Sequence, residues 1–91
     1  MSITFQLPGV LAPLAEGRRT IDAVGATVGD VVADVSKRYP ELGTRLTDGT
    51  GNPYPFVTFY LNDEDIRFAG GFKARVTDGD ELVVVPAIAG G

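Results

Sequence analysis

The sequence predicts an α+β domain in which a mixed sheet of five short strands wraps on one main helix, and three observations predict it. A single stretch carries apolar residues at helical spacing, with Val28, Val31, Val32, Val35 and Tyr39 on one stripe. Strand-like segments punctuated by turn residues lie on both sides of that stretch. The last of them, Leu82-Val83-Val84-Val85, is an unbroken apolar run with the composition of a strand buried on both faces, which belongs at the centre of a sheet, parallel to the first strand. At 91 residues the chain makes one domain, able to close a modest core without a metal or a disulfide.

Taken in order, Ile3-Thr4-Phe5-Gln6-Leu7 alternates apolar and polar residues, the period of a half-buried strand. Pro8-Gly9 breaks it, and Val10 to Leu14, interrupted by Pro13, is a short apolar connection. Glu16-Gly17 turns the chain into a second strand, Arg18 to Val24, with Ile21 inward and Arg18, Thr20 and Asp22 toward water, so that the first two strands form a hairpin. Thr27 is the expected N-cap of the helix, with Asp30 three residues on in a capping-box arrangement that uses Asp in place of Glu. Asp34 and Arg38 form an i, i+4 pair, and Pro40 ends the helix. Its valines are poor helix formers, so packing on the sheet must hold it.

Glu41 to Leu46 adds one further turn with Leu42 and Leu46 tucked in, and Thr47 to Pro53 is loop by composition. Phe56 to Leu61 is the strongest internal strand, with Val57, Phe59 and Leu61 on one face and Phe56, Thr58 and Tyr60 on the other. Asn62-Asp63 is a turn, Ile66 to Phe68 a short strand, Gly70-Gly71 a second turn, and Phe72 to Val76 an irregular crossing. Asp78-Gly79-Asp80 turns into the final strand, and Pro86, with no N–H to donate, should stop its pairing.

The composition narrows the function. There is no cysteine, hence no disulfide, thiolate nucleophile or thiolate metal site. There is no histidine, the commonest general base and metal ligand. A net charge of −4 argues against a phosphate backbone as partner and suits a basic protein surface. The chain opens directly on a strand pattern without a basic or apolar leader, and its longest uncharged run is far short of the ~20 residues of a membrane span, so it is expected in the cytoplasm.

Most local motifs read as structure. Asn62-Asp63-Glu64-Asp65 gathers carboxylates but lacks the spacing of a calcium loop, and a solvated turn accounts for it. Gly25 to Gly29 precedes a helix without a following Gly-Lys-Ser/Thr, which argues against a phosphate loop. Tyr39 belongs to the core. The tail is different. Ala87-Ile88-Ala89-Gly90-Gly91 follows the last strand directly, carries no charged side chain, and ends on two glycines that leave a carboxylate on a thread slim enough for a narrow channel. A Gly-Gly pair at a chosen place arises by chance in only about 2% of chains of this composition. Period-two alternation also turns Phe56, Tyr60, Val83 and Val85 away from the helix, an outward apolar cluster beside the tail that suits a docking partner.

These features together resemble the small ubiquitin-like sulfur carriers of the MoaD/ThiS type, whose β-grasp fold has the element order derived above. The terminal Pro86-Ala87-Ile88-Ala89-Gly90-Gly91, with Asn62-Asp63-Glu64-Asp65-Ile66-Arg67-Phe68, Gly70-Gly71 and Asp78-Gly79-Asp80, is most similar to the mycobacterial carriers of cysteine biosynthesis. The resemblance implies one β-grasp domain over residues 1–91 with a flexible tail at 87–91. It implies no catalysis by this chain and no bound cofactor or metal. An E1-like adenylyl- and sulfurtransferase would use ATP and Mg²⁺ to activate the Gly91 carboxylate and convert it to a thiocarboxylate. Residues Ala87, Ile88, Ala89, Gly90 and Gly91 would enter partner active sites. The sulfur would pass to a pyridoxal-phosphate cysteine synthase-like enzyme, and a zinc metallopeptidase would release the product. The Gly-Gly end alone is also compatible with the small subunit of molybdopterin synthase, acting on a large synthase subunit, or with a ubiquitin-like protein modifier.

Overall fold

A computed structural model describes residues 2–47 and 57–86. The strands are β1 (Ile3–Gln6), β2 (Thr20–Ala23), β3 (Val57–Leu61), β4 (Glu64–Asp65) and β5 (Glu81–Pro86), and the helices are α1 (Val28–Arg38) and the single turn α2 (Pro40–Gly43). They form one mixed sheet in the order β2-β1-β5-β3-β4. The first and last strands are parallel neighbours, with Phe5 opposite Leu82, and every other pairing is antiparallel. The last strand is thus the middle of the sheet, the position expected for it.

Alternation decides what faces α1. Ile3 and Phe5 of β1, Ile21 and Ala23 of β2, Phe59 of β3, and Leu82 and Val84 of β5 are buried against Val28, Val31, Val32 and Val35 of α1. Phe72 meets the ring of Phe59 edge-on at 5.4 Å and helps close one side of this layer. Each helical valine costs roughly 0.5 kcal/mol against alanine in propensity but recovers about 1.5 kcal/mol or more by burial, so tertiary packing wins.

Caps fix the helix ends. Thr27 Oγ1 accepts from the Asp30 N–H at 3.1 Å. Asp30 Oδ2 reaches back to the Ala26 N–H at 3.3 Å, one residue before the N-cap where a glutamate would reach the N-cap itself. Lys37 and Arg38 sit in the last turn, favourable to the helix dipole. Pro40 then starts α2, which with the turn after it buries Leu42 and Leu46.

Several expectations need correction. The connection through residues 10–14 contains a 3-10 turn, Ala12–Ala15, which Pro13 begins and Glu16 ends in the left-handed region. Ile66–Phe68 is not a strand. The partner of β3 is Glu64–Asp65, and Ile66–Phe68 is a 3-10 turn because the Asp65 side chain accepts from the Arg67 N–H at 2.9 Å and curls the chain. Leu82–Val85 is buried on one face only: Leu82 and Val84 are covered, Val83 is half-buried and Val85 is exposed. Pro86 sits opposite Val57 as the last residue of β5, and the residues after it lie outside the described ones. The loop expected over residues 48–53 lies outside the described residues.

Candidate functional site

The outer face of the sheet is built by the residues that alternation turns from α1. In the β3–β5 register Tyr60 stands opposite Val83 and Thr58 opposite Val85. These pairs form a short band down the centre of the face. Gln6 of β1 extends it on the other side of Val83, and its Nε2 donates to Glu81 Oε1 at 3.3 Å. Val85 is 43% exposed and immediately precedes Pro86, where the described chain stops. Of the expected docking cluster, the sheet therefore brings Tyr60, Val83 and Val85 onto one face, with Tyr60 and Val83 half-buried. Phe56 and the tail residues Ala87, Ile88, Ala89, Gly90 and Gly91 lie outside the described residues.

One rim of this face was not anticipated. Asp65 lies opposite Tyr60 on β4. Arg67 turns back onto it, Nε donating to Oδ1 at 3.1 Å and Oδ2 at 3.0 Å, and Nη2 to Oδ2 at 2.6 Å. These bonds hold the Asp65 carboxyl below its ordinary value and push the Arg67 guanidinium higher still. The same turn leaves Phe68 82% exposed. The short alternation Ile66-Arg67-Phe68 pointed to a strand. The signal that finds the turn is Asp65 two residues before Arg67, the spacing of an Asx turn.

The remaining motifs are structural. Asn62 and Asp63 adopt φ of 49° and 71°, the left-handed pair of a two-residue hairpin turn between β3 and β4. Asn62 also ties that turn to the start of β5: its Nδ2 donates to Asp80 Oδ1 at 3.0 Å and its Oδ1 accepts from the Glu81 N–H at 3.0 Å. Gly25 and Gly29 are packing glycines. A Cβ on Gly25 would lie 2.7 Å from Asp30 Cβ, and one on Gly29 would lie 3.2 Å from the Phe72 carbonyl oxygen. Tyr39 packs against the core cluster. No group of three or more metal-ligating side chains forms among the described residues, and no helix among them is long and apolar enough to cross a membrane.

What this geometry can do is present the end of β5. The outer face carries an apolar centre and a polar rim, the anatomy of a protein contact, and Val85 on it lies one residue before Pro86.

The family model described as the ThiS family matches residues 5–91. The sulfur carrier protein CysO of Mycobacterium tuberculosis is 39% identical over 93 residues, covering 100% of both chains. A chain in the crystal structure of the Amycolatopsis orientalis BexX/CysO complex superposes with a TM-score of 0.90 at 39% identity, covering 98% of this chain and 99% of that one. The crystal structure of Mycobacterium tuberculosis CysO gives a TM-score of 0.86 at 36% identity, covering 94% and 99%.

Proposed function

Because the chain belongs to the ThiS family of ubiquitin-like sulfur carriers, we propose that it carries sulfur as a thiocarboxylate on Gly91 and delivers it to cysteine biosynthesis. The observation that supports this most is similarity over the whole chain, at 39% identity, to a protein named sulfur carrier protein CysO. That likeness favours the cysteine branch over the molybdopterin branch and over protein modification, which a Gly-Gly end alone would allow.

The chemistry explains the composition. A carboxylate is a poor electrophile, being already anionic and lacking a good leaving group. Attack of a Gly91 carboxylate oxygen on the α-phosphorus of ATP expels pyrophosphate and leaves an acyl-adenylate. A sulfur nucleophile then displaces AMP and gives the thiocarboxylate. The chain therefore needs no cysteine or histidine of its own. It is a substrate, and the adenylating partner supplies the residues that hold ATP and Mg²⁺. Pyridoxal phosphate and zinc belong in the same way to the enzymes that accept the sulfur and release the product.

Docking follows from reach. Five residues after Pro86 span at most roughly 17 Å when extended. A partner that acts on Gly91 must hold its reactive centre within that distance of the end of β5. The outer-face strip at Tyr60, Val83 and Val85 is the surface such a partner would cover. The A. orientalis chain was solved as a complex with BexX, which supports a protein partner for this chain as well.

ATP–pyrophosphate exchange with the adenylating enzyme tests the assignment. The full chain should support exchange, and a chain lacking Gly91 should not, while melting as the full chain does. Undiminished exchange with the shortened chain would refute it.

A further inference from the structure

The free edge of β2 carries its own cover. The Leu7 N–H donates to the Arg19 carbonyl at 2.8 Å, which makes these two a hydrogen-bonded pair of the antiparallel ladder. Bonded and non-bonded pairs alternate along such a ladder. In the observed register Phe5–Ile21 and Ile3–Ala23 are then bonded pairs, and Gln6–Thr20 and Thr4–Asp22 are not. The backbone groups of Thr20 and Asp22 consequently point off the sheet, as do those of Val24 one step on. The Thr4 N–H agrees, since it donates toward β5, to the Asp80 carbonyl at 3.0 Å.

Two of these outward groups are occupied from α1. Arg38 Nη2 donates to the Asp22 carbonyl at 2.6 Å, and Asp34 Oδ2 accepts from the Val24 N–H at 3.1 Å. The same Nη2 and Oδ2 atoms bond each other at 3.0 Å. An exposed helical ion pair adds little stability by itself, so its value lies in where it sits. An uncovered edge strand is a template for another strand. β2 ends the sheet on its side, whereas β4 at the other end has only two residues. Val24, beside the edge, is an exposed apolar side chain that a second strand would cover. The strand that fits is β2 of a second copy, because a two-fold axis sets the same outward donors and acceptors against each other.

We propose that the Asp34–Arg38 pair is a latch that closes the β2 edge against a second copy of this chain. The latch keeps the protein a monomer, free to meet one partner at a time, and it does so whatever the tail carries.

Sedimentation velocity over a concentration series, combined with hydrogen exchange at the Thr20 and Asp22 amides, tests the latch on the full chain. The Asp34→Ala/Arg38→Ala variant should self-associate at concentrations about tenfold or more below those the parent needs. Thr20 and Asp22 amides should gain protection as it does so. Adding Asp22→Pro, which removes an N–H facing away from the ladder, should return the variant to monomer. Arg38→Ala alone frees the Asp22 carbonyl and keeps the Asp34–Val24 bond. It should show the same shift to a smaller degree, and it takes the place of the double variant if that one does not fold. A folded variant that stays monomeric over the series overturns the proposal. So does association that leaves Thr20 and Asp22 unprotected, or that survives Asp22→Pro.

Discussion

Asp80 accepts from the Thr77 N–H at 2.8 Å and from Asn62 Nδ2 at 3.0 Å, joining the turn before β5 to the turn after β3. These bonds, the Thr77 amide first, hold its carboxyl below the ordinary 3.8. A depressed carboxylate contributes stability that is complete above its unfolded-state pKa and is lost as pH falls through the folded-state value. Asp80→Ala should therefore destabilise the chain more near pH 7 than near pH 2, which lies well below the unfolded-state 3.8. Chemical denaturation at the two pH values measures this, and an equal loss at both would assign Asp80 no electrostatic part. Val85 is the other informative residue. It points out beside the tail root, so Val85→Asp should weaken binding to the adenylating enzyme by roughly tenfold or more while changing folding stability by less than about 1 kcal/mol. Isothermal titration beside denaturant melts ranks the two effects, and the reverse order would make Val85 a core residue.

The elements show how far sequence reasoning reaches. Helix α1 was legible in full, because a period-3.6 stripe, a Thr27 cap and a Pro40 stop all agree. Thr27→Ala should cost about 1 kcal/mol by urea denaturation, and no loss would mean that Asp30 alone satisfies the first turn. The strand β3 and the inward and outward directions along β5 were legible from alternation, while the unbroken apolar run of Leu82–Val85 overstated the burial of the outer face. Ile66–Phe68 was not legible, because a three-residue alternation carries too little signal to outweigh one side-chain bond from Asp65. The 3-10 turn at Ala12–Ala15 was hidden in the same way, its apolar residues reading as connection while Pro13 and Glu16 shaped them locally. Gly25 teaches a related point. Its need is a contact, since a Cβ there would lie 2.8 Å from the Val31 backbone nitrogen. Gly25→Ala should destabilise by about 1–3 kcal/mol, and an unchanged melting temperature would show that the helix start can shift to make room.

At the scale of the whole molecule, the sheet order puts the chain's last strand in its middle, paired on both sides. Three of the four expected docking residues do share one face. What sequence alone did not reveal is the Asp65–Arg67 pair beside them, whose Asx-turn spacing was outweighed by the strand-like alternation of Ile66 to Phe68, and the bonds from α1 to the β2 edge, which join elements distant in the chain. The central claim is that Gly91 is loaded with sulfur, and one measurement meets it most directly. Intact-mass spectrometry of the full chain after incubation with its adenylating enzyme, ATP and a sulfide source should show a gain of about 16 Da, sulfur for one oxygen, confined to the C-terminal peptide. An unchanged mass under conditions where the enzyme consumes ATP on this chain would contradict it.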